Sequence, residues 1–304
     1  MTELKKILIT LAEFIVCFLI FDFGIGIFLD WSIKQLPSDG ERVAKSEYVM
    51  NKVKAEFVVI GSSRAEAHYD SRVLMDSFPE YTIFNCGVDG QLFYYINTTF
   101  NSIMDRYTPK IVVWDFQTKD LVDNEPENLS LLYPYYYTNQ RVKEVLNEQD
   151  RDLKYLLWIN CYRYNGTGSR ILRAVKMQES NNAGFSSHSS TDSTRKIVSC
   201  QTGRNEKLNI EKVNILDATL ARAKKNGIKM VLCVSPMYSN ITCPSTTIEQ
   251  LNKLAKKYNF LFIDDSQIEQ FINSNEYWYD GGHLNTKGAD IFTKILSKQI
   301  KENI

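Results

Sequence analysis

The sequence predicts an α/β fold: a flavodoxin-like, doubly wound parallel sheet of five strands, preceded by one N-terminal transmembrane helix. Two observations carry this prediction. Short, nearly continuous apolar runs alternate with segments of helical length, which is typical of a parallel sheet covered by helices on both faces. A separate apolar run, long enough to cross a bilayer, lies near the start of the chain.

The N-terminal run covers residues 7–29 and has about the length of a membrane-spanning helix. Lys5 and Lys6 precede it, so the positive-inside rule puts the N-terminus in the cytoplasm and the rest of the chain outside. A cleaved signal peptide and a buried amphipathic helix are the alternatives. Because no small-residue cleavage site closes the run, we expect a single-pass anchor over residues 1–31 and a polar stalk over residues 32–54.

Each later apolar run defines a strand, and the segments between the runs define helices. We expect strands at residues 57–60, 82–84, 111–114, 229–234 and 260–263. Helices are expected up to about residue 75 and near residues 91–105, 210–225, 247–258 and 286–300. The pattern is lost at about residues 121–206, which we interpret as a helical and loop insertion in a domain that covers residues 55–304.

Composition excludes several classes of function. Lys+Arg and Asp+Glu each number 36, so the formal net charge is zero and no nucleic-acid partner is predicted. The six cysteines form no C-x-x-C pair and the three histidines are scattered, so we expect neither a metal site nor a cofactor. Cys86 and Cys233 are expected in the core, whereas Cys200 and Cys243 lie in loop-like sequence and could form a disulfide.

Ser63 follows the first predicted strand, in the turn Gly61-Ser62-Ser63-Arg64 that leads into a helix. A serine there can be exposed with its backbone N–H at a helix start, which suits a nucleophile. Capping of the helix by Ser62 or Ser63 is the alternative. Arg64 and His68 are expected on a solvated face, with Arg64 available to an anionic substrate group.

Asp280 and His283 are three residues apart in a glycine-containing turn before the last helix. In a helix-like turn this spacing lets Asp280 hold the Nδ1 hydrogen of His283 and leaves Nε2 for a serine. An aspartate that only caps the helix, beside an idle histidine, is the alternative. Residues 85–90, which read Asn-Cys-Gly-Val-Asp-Gly after the second strand, allow a close backbone approach to a ligand or form a plain turn.

Together these segments resemble the blocks of the SGNH/GDSL hydrolase family. Gly61-Ser62-Ser63 is similar to its Gly-Asp-Ser block, residues 85–90 to its second block, and Asp280 with His283 to its Asp-x-x-His block. The resemblance implies a triad of Ser63, Asp280 and His283, with the N–H of Gly90 in the oxyanion hole. It covers about residues 56–117 and 229–300. Ser62 in place of the usual Asp resembles membrane-anchored members linked to acylation of cell-surface polysaccharides.

The third block of the family, Gly-x-Asn-Asp, aligns with Gln117-Thr118-Lys119-Asp120. Lys119 takes the place of the asparagine that donates to the oxyanion, and either Lys119 or Gln117 carries N–H donors that could replace it.

The resemblance implies an extracytoplasmic serine esterase or O-acyltransferase for acyl esters of carbohydrate or small esters. Acetyl esters are the first expectation, and a membrane-embedded acyl-transfer partner is a further one. A catalytically inactive relative that binds polysaccharide or scaffolds an envelope assembly is the alternative.

Overall fold

The computed structural model describes residues 2–122, 126–191, 199–200, 206–241, 245–272 and 274–304. In chain order the helices are α1 (Glu3–Lys34), α2 (Arg42–Asn51), α3 (Ser63–His68), α4 (Ser71–Ser77), α5 (Phe93–Arg106), α6 (Gln140–Gln149), α7 (Leu153–Leu156), α8 (Asn160–Arg163), α9 (Gly168–Ala174), α10 (Ile210–Lys225), α11 (Thr246–Tyr258), α12 (Glu269–Ile272) and α13 (Thr286–Asn303). The strands are β1 (Phe57–Ile60), β2 (Ile83–Asn85), β3 (Ile111–Asp115), β4 (Ser199–Cys200), β5 (Lys229–Val234), β6 (Asn240–Ile241) and β7 (Leu261–Asp264). Two 3₁₀ helices cover Ser130–Tyr135 and Asn275–Tyr277.

Five strands form one sheet in the order β2-β1-β3-β5-β7, and every neighbouring pair in it is parallel. This is the flavodoxin-like order, so the predicted fold class is confirmed. Ile60 pairs with Trp114, and Val234 pairs with Asp264, so the carboxyl ends of the strands lie along one edge. Ser63 and the residues after β2 and β3 therefore leave the sheet at that edge.

The strands β1, β2, β3 and β5 are buried along nearly their whole length, because most of their residues are apolar. Val58 and Val112 belong to the core on one face, whereas Val59 and Val113 belong to the core on the other. Successive side chains of a strand point to opposite faces, and here both faces are covered. Helices α3, α4 and α13 pack together on one side, and α2, α5 and α10 pack on the other.

Two predicted elements differ from the structure. The helix expected up to residue 75 is two helices, because the chain breaks at Tyr69 and Asp70 and the Asp70 carboxylate caps α4 through the N–H of Arg72. The predicted stalk is wrong for residues 42–51, which form helix α2. Most of this helix is buried, including Lys45, whose ammonium is 3.1 Å from the Glu66 carboxylate.

Helix α1 has the length and composition to cross a membrane, with a mean hydropathy of 2.3 in its most apolar window. Its first part, up to residue 21, is exposed, and its second part packs against the insertion. Helices α6 to α9 lie within residues 121–206, the range interpreted as an insertion. Cys86 and Cys233 are buried in the core, whereas Cys243 lies outside the described residues, so its pairing with Cys200 stays a prediction.

Candidate active site

Ser63 lies on a tight turn whose first position, residue 61, requires glycine. Gly61 follows β1 with a φ of +151°, and a Cβ there would lie 2.6 Å from the Cβ of Ala65 and 3.0 Å from the Asp115 carbonyl oxygen. This close packing turns the chain sharply from β1 into α3. Ser62 occupies the N-cap position without a side-chain capping bond, and Ser63 is the first residue of the helix.

Asp280 and His283 lie on a short turn closed by a bridge between Trp278 and Leu284. The N–H of Tyr279 donates to the His283 carbonyl at 2.9 Å. Trp278 fixes the turn to the core, because it is buried and its indole N–H donates to the Phe271 carbonyl at 2.8 Å. The two side chains are thus held by a tight turn, rather than by the helix-like turn from which their spacing was interpreted.

The three side chains form a continuous hydrogen-bonded chain. The Nε2 atom of His283 is 2.8 Å from Ser63 Oγ, and Nδ1 is 2.9 Å from both carboxylate oxygens of Asp280. Because a carboxylate can only accept, Nδ1 carries the hydrogen and Nε2 is left to accept from the serine hydroxyl.

Asp280 is kept ionised by its neighbours. Partial burial works to raise the pKa of Asp280, but the hydrogen bonds from the His283 ring and from the backbone N–H groups of Gly282 and His283 outweigh it. The pKa of Asp280 is therefore held below its ordinary value. An ionised Asp280 can both orient the imidazole and stabilise the imidazolium that forms when a serine proton is transferred.

Residues 85–90 pack directly on the start of α3. Asn85 is buried, and its amide donates to the carbonyls of Ala65 and Tyr69 while its oxygen accepts the Gly87 N–H. A Cβ on Gly87 would lie 2.6 Å from the backbone nitrogen of Glu66, which is why the two segments can meet so closely. Gly90 has a φ of +72° and lies at the exposed end of this segment.

The structure carries Lys119 and Gln117 away from the pocket. The Lys119 ammonium is 3.8 Å from the Glu206 carboxylate and its side chain is 69% exposed. A turn follows β3 in which Asp120 accepts the Gln117 N–H at 2.8 Å, and this turn directs Lys119 to the surface. Of the described residues that line the pocket at Ser63, none comes from residues 117–120. The expectation that Lys119 or Gln117 replaces the family asparagine is not supported.

Arg64 and His68 were expected on a solvated face, but both side chains are buried. The Arg64 guanidinium donates to the carbonyl and hydroxyl oxygens of Ser235, after β5. His68 contacts the same hydroxyl at 3.0 Å through Nδ1, and its Nε2 is 3.1 Å from the Leu284 nitrogen. The expected solvated face and the substrate contact of Arg64 are wrong. These side chains instead join β5 to the turn that carries His283.

Ser63 and His283 open into a cavity of about 530 Å³, lined mostly by polar groups. Five carboxylates line it: Asp39, Glu41, Glu66, Asp89 and Asp280. Arg42 is the one arginine or lysine among the described lining residues. Its guanidinium donates to the Asp89 carbonyl at 3.4 Å and would lie 2.9 Å from a Cβ on Gly90. Among the described residues, no group of three or more His, Cys, Asp or Glu is placed to hold a metal ion.

The insertion closes one side of this cavity. Its residues Ser180 to His188 contribute much of the lining, and the His188 carbonyl accepts the Thr286 N–H at 2.8 Å. The His188 ring stacks on Tyr279 with centroids 4.3 Å apart, at 6.4 Å from the His283 ring. Burial, and then the nearby His283, lower the pKa of His188. Sequence reasoning missed Arg42 and His188 because no local pattern links them to Ser63.

Known proteins were compared with this chain. No protein-family model matches it, and no curated protein matches it. Among solved structures, a psychrotrophic esterase from Pseudoalteromonas is 11% identical and aligns over 81% of this chain and 97% of its own, with a TM-score of 0.44. A GDSL-like lipase from Bacteroides thetaiotaomicron is 14% identical over 87% and 100%, with a TM-score of 0.42. A lipase/acylhydrolase from Enterococcus faecalis is 11% identical over 81% and 95%, with a TM-score of 0.41. The fold assignment rests on the strand order of the chain itself, a flavodoxin-like parallel sheet with Ser63, Asp280 and His283 at its carboxyl edge.

Proposed function

We propose that the protein is a serine esterase or O-acyltransferase that acts on acyl esters of carbohydrate, with acetyl esters as the first expectation. The observation that carries the proposal is the chain of contacts from Ser63 Oγ through the His283 ring to Asp280, at 2.8 and 2.9 Å. Nucleophile and base within hydrogen-bond reach, with the base oriented by a third group, are the requirements for covalent acyl transfer.

In the proposed reaction Ser63 Oγ attacks the ester carbonyl while His283 Nε2 takes the serine proton. The tetrahedral intermediate then collapses, the alcohol leaves with the proton from His283, and the acyl group stays on Ser63. In the second half, water or a sugar hydroxyl gives its proton to His283 and attacks the acyl carbon. The bond to Ser63 Oγ then breaks, His283 returns the proton to this oxygen, and the acid or the new ester is released. Hydrolase and transferase differ only in this acceptor.

The negative charge on the intermediate needs donors. We assign the backbone N–H groups of Ser63 and Gly90 to this role. Arg42 is the cationic side chain nearest to Gly90 in the cavity lining. Lys119, at the position of the family asparagine, points away from the cavity. We propose that Arg42 donates to the oxyanion in its place and adds a positive charge. Preorganised donors at a developing oxyanion are among the largest contributions to such catalysis.

A carbohydrate substrate is supported by the lining of the cavity. Carboxylates, serines and Asn182 offer hydrogen bonds to hydroxyl groups, and the stacked His188 and Tyr279 offer a flat surface to a sugar ring. The volume lies in the range of small-molecule sites. A membrane-embedded acyl-transfer partner remains part of this proposal, as the donor of the acyl group.

We further propose that α1 anchors the protein in a membrane as a single-pass segment with the N-terminus in the cytoplasm. The exposed apolar surface of α1 supports the anchor, and Lys5 and Lys6, in the first turn of α1 and ahead of its apolar run, support this orientation. The active-site domain is then extracytoplasmic, where acylated polysaccharides of the cell surface are found.

The test is covalent labelling of the full chain in detergent with a fluorophosphonate serine probe. Labelling is expected in the native protein and absent in Ser63→Ala and His283→Ala. Ser62→Ala is the matched control, because the neighbouring hydroxyl makes no capping bond and its loss should leave labelling intact. If the folded protein takes up no probe, the triad mechanism fails and the inactive polysaccharide-binding or assembly role is favoured.

A further inference from the structure

The second part of α1 is fixed to the insertion by partly buried polar contacts. The Asp22 carboxylate accepts the backbone N–H groups of Asn160 and Cys161 at 2.9 and 2.7 Å, and the Asn160 amide at 2.9 Å. Gly26 lies directly against the Asn160 side chain, and Asp30 binds Arg163 and the Tyr164 hydroxyl. Helix α1 and the helices α8 and α9 therefore form one rigid joint.

The opposite face of this docked part of α1 is apolar and exposed. Phe23, Ile27, Phe28 and Trp31 are each at least half exposed, and they continue the apolar surface of the first part of the helix. From Leu4 to Trp31 this surface is about 42 Å long at 1.5 Å per residue. The hydrocarbon of a bilayer is about 30 Å thick and the head groups bring the total to about 40–45 Å. With Leu4 at the inner edge of the hydrocarbon, Asp22 lies about 27 Å along the helix, near the outer edge, and Trp31 lies about 40 Å along, among the outer head groups.

The insertion presents its own apolar residues beside this joint. Tyr155, Leu156, Trp158, Leu172 and Val175, here called the apolar patch, are between 38% and 69% exposed. Trp158 is two residues from Asn160, so their Cα atoms are at most about 7 Å apart. Gly168, at the start of α9, packs on Leu29, and Leu172 follows one turn later in the same helix.

The composition of the apolar patch fits a lipid surface. Tryptophan and tyrosine favour the head-group region, where an apolar ring and a polar group are both satisfied. Exposed basic side chains lie among them: the Lys154 ammonium is 4.8 Å from the centre of the Tyr155 ring, and Arg173 and Lys176 flank Val175. Such residues bind lipid phosphates while their neighbours enter the interface.

We propose that the apolar patch rests in the outer head-group region of the bilayer that α1 crosses. The active-site domain is then attached at two points, α1 and the insertion, and lies on the membrane in a fixed orientation. The proposal rests on the anchoring role of α1 proposed above. It commits to lipid because the apolar patch lies beside the joint with α1, whose exposed apolar surface extends to Trp31, and because exposed basic side chains lie among the patch residues.

The test uses tryptophan emission of the full chain in vesicles of phosphatidylcholine brominated on its acyl chains, because bromine quenches only the tryptophans that touch lipid. Trp114 and Trp278 are buried and form a constant background. Trp31→Phe leaves Trp158 as the exposed tryptophan, and Trp31→Phe with Trp158→Phe removes it. In ordinary phosphatidylcholine, the difference in emission between these two variants is the emission of Trp158. Most of this difference should be lost in the brominated lipid.

The matched control adds Ile210→Trp to the double variant, since Ile210 is 63% exposed on α10, away from α1. Its emission should persist in brominated lipid. If the emission of Trp158 is quenched no more than that of the tryptophan at position 210, the proposal is overturned. The apolar patch would then bind a protein partner. Flotation of the vesicles separates the two failures: protein that floats without quenching refutes the patch alone, whereas protein that does not float refutes the anchor as well.

Discussion

At the scale of single residues, the site depends on groups that are distant in sequence but share one edge of the sheet. Ser63 follows β1, Ser235 follows β5, and His283 lies before α13. The buried Arg64 and His68 both contact Ser235, and His68 also contacts the turn that carries His283. A serine, a histidine and an aspartate with suitable spacing could be found from the sequence, because their turns have local signatures.

Arg42 carries the first prediction at this scale. If its guanidinium stabilises the oxyanion, Arg42→Ala should lower kcat/KM for a short-chain acetyl ester by about 10–100-fold, the range expected for a lost hydrogen bond to a charged group. Steady-state kinetics of the full chain measure this. Arg170→Ala is the control, because Arg170 pairs with Glu41 at 3.4 Å without lining the cavity, and it should change little. Equal losses in the two variants would reject a specific role for Arg42.

At the scale of elements, the strands were predictable and α2 was not. Each strand of the five-stranded sheet contains an apolar run whose burial follows from its composition, as in residues 57–60 and 229–234, where prediction and structure coincide. The two-residue strands β4 and β6 have no such run and were not predicted. Helix α2 is polar, yet Lys45, Ser46 and Glu47 are buried in it. Their partners, Glu66 and the hydroxyl of Tyr95 among them, lie elsewhere in the sequence, so the composition of α2 alone resembles a solvated stalk.

Lys45 carries the prediction at the element scale. Lys45→Met would leave the Glu66 carboxylate without its cation in a mostly buried site, which typically costs about 3–5 kcal/mol. We expect Tm to fall by about 6–20 °C, since about 1 kcal/mol shifts the Tm of a domain of this size by roughly 2–4 °C. Thermal unfolding followed by circular dichroism measures the change.

Adding Glu66→Gln to Lys45→Met removes the unpaired charge, so part of the lost Tm should return. An unchanged Tm in Lys45→Met would mean that α2 does not pack on the domain and that the stalk interpretation was correct.

At the scale of the whole molecule, one buried carboxyl should make stability depend on pH. Asp120 is buried in the turn after β3, and burial raises its pKa to about 7 despite the hydrogen bond from the Gln117 N–H; the charges of Asp115 and Glu127 add to this rise. A group whose pKa is raised on folding contributes stability below its unfolded pKa, near 3.8, and this contribution is lost as the pH rises through 7.

Asp120→Asn keeps the acceptor for Gln117 and removes the titration. We therefore expect the variant to exceed the native protein in Tm at pH 8, by on the order of 5 °C, and to approach it at pH 5. Melting curves across this pH range provide the measurement. If the Tm of the native protein falls no more between pH 5 and pH 8 than the Tm of the variant, the assignment to Asp120 is wrong.

The joint between Asp22 and α8 also has a consequence for the order of events during synthesis. Asp22 and Asn160 are 138 residues apart in the chain, so the Asp22 carboxylate has no partners until the insertion has been synthesised. At about 5–20 residues per second that delay is roughly 7–30 s. During this interval α1 is already present while its docking site is not, and the Asp22 carboxylate within this apolar helix lacks the N–H donors of Asn160 and Cys161. In the anchor proposed above, α1 would therefore enter the membrane with Asp22 unpaired, and this carboxylate would gain its partners only once α8 has formed.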